Sequence, residues 1–166
     1  TLWGWGSNSS SQLGLGDATT RSTPVQVGTA TDWRLVTCGG SFSLAIKSNG
    51  TLWGWGSNSS NQLGDGTTST RTTPVQIGTA TDWSIVQAGS SHAIALRSDG
   101  SLWTWGSGTN GQTGSGNTST RTTPTQVGTN TNWSRVAAST ASSAALTTDG
   151  TLWVTGANQS GQVGNG

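Results

Sequence analysis

The chain has 166 residues, of which only 8% are charged, seven Lys or Arg against six acidic residues, for a net charge of +1. That is far below the roughly 25% of ordinary soluble domains, and without a basic run it carries no electrostatic footprint for DNA or RNA. No apolar run reaches the about 18 residues of a membrane helix, and the single cysteine, Cys38, and single histidine, His92, exclude an internal disulfide and a metal site; no cofactor is implied.

The chain divides into units of constant length: 1–50, 51–100, 101–150 and the start of a fourth at 151–166. The decapeptide at 1–10 returns letter for letter at 51–60. All ten tryptophans occupy three unit positions: Trp3, Trp53, Trp103 and Trp153; Trp5, Trp55 and Trp105; Trp33, Trp83 and Trp133. A period of this length holds about one four-stranded sheet, and such sheets stack around an axis as propeller blades. Periodic Trp, Leu and Val also argue against the disorder that low charge and abundant Gly and Ser would otherwise indicate. The chain contains no methionine and opens inside a motif, so a piece of a longer protein is expected.

The second unit shows the order of elements. Residues 83–88 read as a short strand ended by Gly89-Ser90-Ser91, and 92–97 alternate Ala93 and Ala95 against Ile94 and Leu96. Asp99-Gly100, like Asn49-Gly50 and Asp149-Gly150, predicts a two-residue type I′ hairpin with positive φ at both positions. In the next strand, 101–105, Trp103 and Trp105 share one face and Leu102 the other. A Gly/Ser/Thr-rich loop follows, with Gln62, Gly64 and Gly66 at fixed offsets in every unit. It is expected to be ordered and to cap the neighbouring blade, and the last strand is expected to begin at Pro124. The ten tryptophans are assigned to blade packing: burying one is worth several kcal/mol at about 25 cal/mol per Å2, and Trp83→Ala is expected to unfold a blade locally.

Three stretches carry a resemblance: residues 56–66 (Gly-Ser-Asn-Ser-Ser-Asn-Gln-Leu-Gly-Asp-Gly), 74–77 (Pro-Val-Gln-Ile) and 86–96 (Val-Gln-Ala-Gly-Ser-Ser-His-Ala-Ile-Ala-Leu). The chain resembles the regulator of chromosome condensation repeat family across its whole length. The resemblance implies an all-β fold, a seven-bladed β-propeller of which this chain supplies about three four-stranded blades plus the start of a fourth. The eukaryotic namesake, a guanine nucleotide exchange factor, wedges an extra hairpin into a small GTPase, and uniform units leave no room for one. The Trp-rich, Ser/Thr-rich sequence is more similar to bacterial and bacteriophage members, in which the propeller is an extracellular or virion binding module.

Enzyme chemistry needs unlike groups that converge. His92 aligns with Phe42 and Ser142 and is read as structural. Asp32, Asp82, Asp99 and Asp149 interchange with Asn132 and Asn49, which indicates turn hydrogen bonding rather than proton transfer. Cys38 matches Ala88 and Ser139 or its neighbour Ala138, a small-residue site, and is read as a buried, inert thiol. Asn8, Asn58 and Asn158 fall in sequons of the kind expected by chance in so Ser/Thr-rich a chain. Arg21, Arg71 and Arg121 recur on the same loop as possible rim contacts, either as an arc of positive charge or each bonded within its own loop. The reading is a non-catalytic binding or structural module in an extracellular, cell-surface or virion assembly. It would bind a protein partner or another copy through rim loops or open blade ends. A glycan-binding (lectin-like) propeller and a nucleotide-exchange module are the alternatives.

Overall fold

The computed structural model describes residues 1–164, and every regular element among them is a β-strand. The strands are β1 (Trp3–Gly6), β2 (Arg21–Gln26), β3 (Trp33–Cys38), β4 (Phe42–Lys47), β5 (Leu52–Gly56), β6 (Arg71–Gln76), β7 (Trp83–Ala88), β8 (His92–Arg97), β9 (Leu102–Gly106), β10 (Arg121–Gln126), β11 (Trp133–Ala138), β12 (Ser142–Thr147) and β13 (Leu152–Gly156). They form four antiparallel meanders: a first sheet of β1-β2, a second of β3-β4-β5-β6, a third of β7-β8-β9-β10 and a fourth of β11-β12-β13. The second and third are complete four-stranded blades of a partial propeller. Each takes two strands from one 50-residue unit and two from the next, so sheets and sequence units are out of phase.

Successive sheets stack face to face, with β7 against β3 and β4, and β11 against β7 and β8. Because both faces of a blade are covered, the middle strands β4 and β8 are buried at almost every position, as continuous apolar strands require. Between the second and third sheets lies one core of Phe42, Leu44, Ile46, Leu52, Leu63 and Ile77 against Trp83, Val86, Ala93, Ala95 and Trp105. A smaller core, Ile94, Leu96 and Leu102 against Trp133 and Ala145, joins the third sheet to the fourth.

Three sequence expectations are corrected. In the hairpin after β4, Gly50 alone has positive φ (77°) and Asn49 does not. The Gly50 N–H donates to the Lys47 carbonyl at 2.9 Å and Lys47 N–H to Thr51 O at 3.0 Å, which makes a three-residue connection ending in a left-handed glycine rather than a type I′ turn. Asn49 is held out of the left-handed region because its Oδ1 accepts from the Thr51 hydroxyl at 2.7 Å. The last strand begins at Arg121, three residues before Pro124, and its ladder with β9 is interrupted between Arg121 and Thr125. Proline is tolerated there because β10 is the sheet edge and the interruption needs no N–H from it. Cys38 is exposed, not buried. It lies on the face of β3 that, among the described residues, has no sheet against it, where Val36 is 49% exposed while its counterpart Val86 is fully covered.

Candidate functional site

Each blade carries a tryptophan cluster built by its hairpin. Trp83 meets Trp103 and Trp105 edge-on at centroid distances of 5.8 and 6.0 Å, and Trp33 meets Trp53 and Trp55 at 5.9 and 6.0 Å. The cation at the end of the middle strand lies over two of these rings: Lys47 Nζ at 4.9 and 4.6 Å from Trp33 and Trp53, and the Arg97 guanidinium at 4.7 and 3.8 Å from Trp83 and Trp103. Asp32 and Asp82 neutralise these cations at 3.2 and 3.5 Å. Their carboxylates are therefore ion-pair partners rather than turn bonds, a correction to the sequence reading, which holds for Asp99 and Asp149. The signal was present in the sequence: where the third unit replaces the cation with Thr147, it also replaces the acid with Asn132. A carboxylate without its cation would only add a desolvation cost.

The loop after each tryptophan strand is pinned from inside. Asn58 is fully buried; its Oδ1 accepts from Leu63 N–H at 3.0 Å and its Nδ2 donates to Thr67 O at 2.8 Å, and Asn8 does the same with Leu13 and Asp17. Sequence reasoning passed over both as chance sequons, although their offset from the loop glycines is constant. The pinned loop caps the next blade: Trp105 Nε1 donates to Gln62 O at 3.0 Å and Trp55 Nε1 to Gln12 O at 2.9 Å. Each indole lies on a glycine. A Cβ on Gly64 would come within 2.6 Å of the Trp105 ring, and one on Gly14 within 2.8 Å of Trp55.

The three rim arginines are brought to equivalent places but not to equivalent partners. Arg21 pairs with Asp17 and Arg71 with Asp65, both at 2.6 Å. Burial opposes the Asp65 charge, but hydrogen bonds from Thr67, Arg71 and Asn58 outweigh it and hold the carboxyl below its usual range. Arg121 has no carboxylate partner among the described residues; it donates to the Thr104 hydroxyl at 2.9 Å and to Thr125 O at 3.2 Å, and burial lowers its pKa. One guanidinium of the arc is thus free of acid.

The gap between the third and fourth sheets differs from the other interfaces. Thr155 stands where Trp55 and Trp105 cap, and Thr113 where Leu13 and Leu63 pack. A cavity of about 590 Å3 lies here, lined by Ile94, Gly114, Val127, Trp133, Ala145 and Thr155 among others, beside a fourth sheet that has three described strands where the third has four. His92 stands where the first unit has Phe42, and its partner Ser143 lines the cavity. His92 is fully buried, its Nε2 lies 2.9 Å from Ser143 Oγ, its Nδ1 has no partner, and burial lowers its pKa to about 4. Among the described residues, Ser143 supplies its one side-chain hydrogen bond. Among the described residues there is no group of three or more His, Cys, Asp or Glu able to hold a metal, and no helix long and apolar enough to cross a membrane. Of the tryptophans, Trp3, Trp5 and Trp153 are exposed, all on the first and fourth sheets.

The structure superposes on solved propellers. Human WBSCR16 shares 28% identity at a TM-score of 0.83, over 98% of this chain and 44% of that one. Yeast RCC1 (Prp20), solved bound to Kap60, shares 22% at 0.83, over 99% and 41%. Prp20p from Saccharomyces cerevisiae, described with its binding properties to Gsp1p and histones, shares 20% at 0.82, over 99% and 43%. The chain spans less than half the length of these relatives. No curated protein sequence matches it. The regulator of chromosome condensation (RCC1) repeat matches residues 1–46, 49–96 and 99–146, and a second description of the same repeat matches 33–62, 83–112 and 133–162. The chain belongs to the regulator of chromosome condensation repeat family.

Proposed function

We propose that this propeller is a non-catalytic module that binds a protein partner through its loop rim, within an extracellular, cell-surface or virion assembly. The observation that carries it is the rim itself. Ordered loops pinned by Asn8 and Asn58 present the exposed edge strands β2, β6 and β10, and one cation among them, Arg121, has no acid of its own. A pre-organised, polar surface of this kind loses little entropy on binding. Solved propellers of this fold meet other proteins: yeast RCC1 is bound to Kap60, and Prp20p binds Gsp1p and histones. Low charge and the absence of Lys-rich surface accord with an exported or particle-borne setting.

A photo-crosslinker at Thr120, beside Arg121, should capture one protein in the native assembly, and Arg121→Glu should remove that adduct. A crosslinker at Asp149, away from the rim, should not capture it. Equal capture from both positions, or turnover abolished by a single substitution here, would sink the reading. A glycan-binding propeller, its polar loops holding the sugar, is the second reading; a glycan-array signal would replace the first with it. Nucleotide exchange ranks last, since every described strand belongs to a sheet and none stands out as a wedge; accelerated GDP release from a small GTPase would reverse that order.

A further inference from the structure

The hairpin between β4 and β5 carries Asn49-Gly50 at its tip, with Asn49 exposed. The two sheets that meet at this hairpin, the second and the third, each have all four strands. Asn49 folds forward over the Gly50 peptide, because its Oδ1 accepts from the Thr51 N–H at 3.2 Å and from the Thr51 hydroxyl at 2.7 Å. A side-chain carbonyl bonded to the N–H two residues on closes an Asx turn, which lays Asn49 Cγ beside the Gly50 nitrogen. The hydroxyl is oriented from behind: Trp53 Nε1 donates to Thr51 Oγ1 at 2.8 Å, so Thr51 turns its own proton to Asn49. Bonds in such a chain polarise one another. Asn49 Nδ2, by contrast, makes no bond among the described residues.

Two donors on a carboxamide oxygen, a glycine nitrogen beside its carbon and an unbonded amide nitrogen are the parts of an intramolecular acyl transfer. Donors placed where negative charge develops lower the barrier to such a step. We propose that Asn49-Gly50 is a self-modification site, at which the first unit converts its own asparagine in water. The Gly50 nitrogen gives its proton to hydroxide and bonds to Asn49 Cγ, and the oxyanion that forms on Oδ1 is held by the two Thr51 donors. The Cγ–Nδ2 bond then breaks, and Nδ2 takes a proton from water and leaves as ammonia. Water opens the resulting succinimide at either carbonyl, giving aspartate or isoaspartate, and no reactant other than water is consumed. Aspartate is the residue that the second and third units carry here, and Asp99 Oδ1 accepts from the Ser101 N–H at 2.9 Å and the Ser101 hydroxyl at 2.6 Å in the same way. Isoaspartate lengthens the main chain by one methylene at a crowded point. Gly50 O accepts from the Trp83 N–H at 3.1 Å, and a Cβ on Gly50 would strike Thr81 O. That product therefore loosens the second sheet from the third.

The chain contains its own control. Asn110-Gly111 is also exposed, and its turn is closed in the same way, the Gly111 N–H donating to Gly108 O at 2.7 Å as the Gly50 N–H does to Lys47 O at 2.9 Å. There, however, Asn110 Nδ2 donates to Thr109 Oγ1 at 3.4 Å, and Oδ1 receives no bond among the described residues. The test is peptide mapping by mass spectrometry of the whole chain kept at mildly alkaline pH, following amide-to-acid conversion at 49 and at 110. Asn165-Gly166, outside the described residues, is mapped as a separate peptide. The ratio of the rates at 49 and 110 is read in the folded chain and in urea, where each site has only its Asn-Gly sequence. It should be about tenfold larger in the folded chain. Thr51→Val removes one donor and should slow conversion at 49 about fivefold in the folded chain, with no change in urea; Thr51→Ser, the residue of the second unit, should keep the rate. The folded-to-urea comparison needs no variant and decides the matter if Thr51→Val does not fold. A ratio no larger in the folded chain than in urea, or an undiminished rate at 49 in folded Thr51→Val, overturns the proposal.

Discussion

The interface between the second and third sheets and the one between the third and fourth share their order of strands, but the later sheet brings four strands to the first and three described strands to the second, and one is closed while the other is open. In the closed one Trp105, Leu63 and Phe42 fill the space; in the open one Thr155, Thr113 and His92 stand at the equivalent positions. The lesson is that substitutions in a repeat array come in touching sets. Gly39 and Gly89 lie under the rings of Phe42 and His92, and where the third unit has Ser142 the glycine too is gone, replaced by Ser139. A glycine is kept where a ring presses on it.

The largest expected effect converts the closed interface into the open one. Trp105→Thr removes a fully buried indole and its bond to Gln62 O, and large-to-small changes of this kind cost about 3–5 kcal/mol because the cavity only partly collapses. Urea unfolding should show that loss, with amide exchange accelerated first in β9 and in the loop at 57–69. A cost under about 1 kcal/mol would mean that the interface does not depend on its cap.

Next in size is a paired glycine test. Gly64→Ala and Gly114→Ala both place a Cβ on a left-handed residue, at φ 77° and 61°, a cost of roughly 1–2 kcal/mol each. Only at Gly64 does the new methyl also strike an indole, adding about 1–3 kcal/mol of overpacking. Differential scanning calorimetry should therefore rank Gly64→Ala well below Gly114→Ala. Equal melting temperatures would show that the open seat is as crowded as the closed one.

The two interfaces also differ in pH response. The His92 pKa of about 4 lies below the value of about 6.5 in an unfolded chain, so the unfolded state binds more protons between those values. Stability is then full above about pH 6.5 and falls as the pH drops toward 4. At pH 5 the loss is about 2 kcal/mol. His92→Phe, the residue of the closed interface, should flatten the urea midpoint between pH 5 and 7.5; an unchanged slope would place the sensitivity elsewhere.

Much of this was legible before the structure. A period of 50, tryptophans in three register positions and constant loop offsets specify stacked four-stranded sheets, and the link from the loop to the next blade could be read from Gln62 and Gly64. The site was less legible, because a cavity is a difference between interfaces and appears only when Thr155, Thr113 and Gly114 are known to converge. Partners were hidden for the same reason: Asp82 reads as a turn residue until Arg97 and its two tryptophans are placed around it. The hairpin type was misread because Asn-Gly signals two left-handed residues, and the Asn49 side-chain bond to Thr51 left only one.

The smallest effect concerns the loops that build the two seats. Ser11 and Asn61 hold left-handed φ of 61° and 59°, at the position where the third and fourth units use Gly111 and Gly161. A non-glycine residue there costs roughly 1–2 kcal/mol, of which about 0.5–1 kcal/mol returns as the extra entropy that glycine loses on folding. Ser11→Gly should therefore stabilise by about 0.5–1 kcal/mol. Asn61 differs because its Nδ2 donates to Thr67 O at 2.8 Å, a bond worth about 0.5–1.5 kcal/mol. Asn61→Gly should come out neutral or slightly destabilising in the same urea titration. If both variants gained equally, the Asn61 bond would contribute nothing, and the glycine of the third loop would be an improvement rather than a replacement for a lost contact.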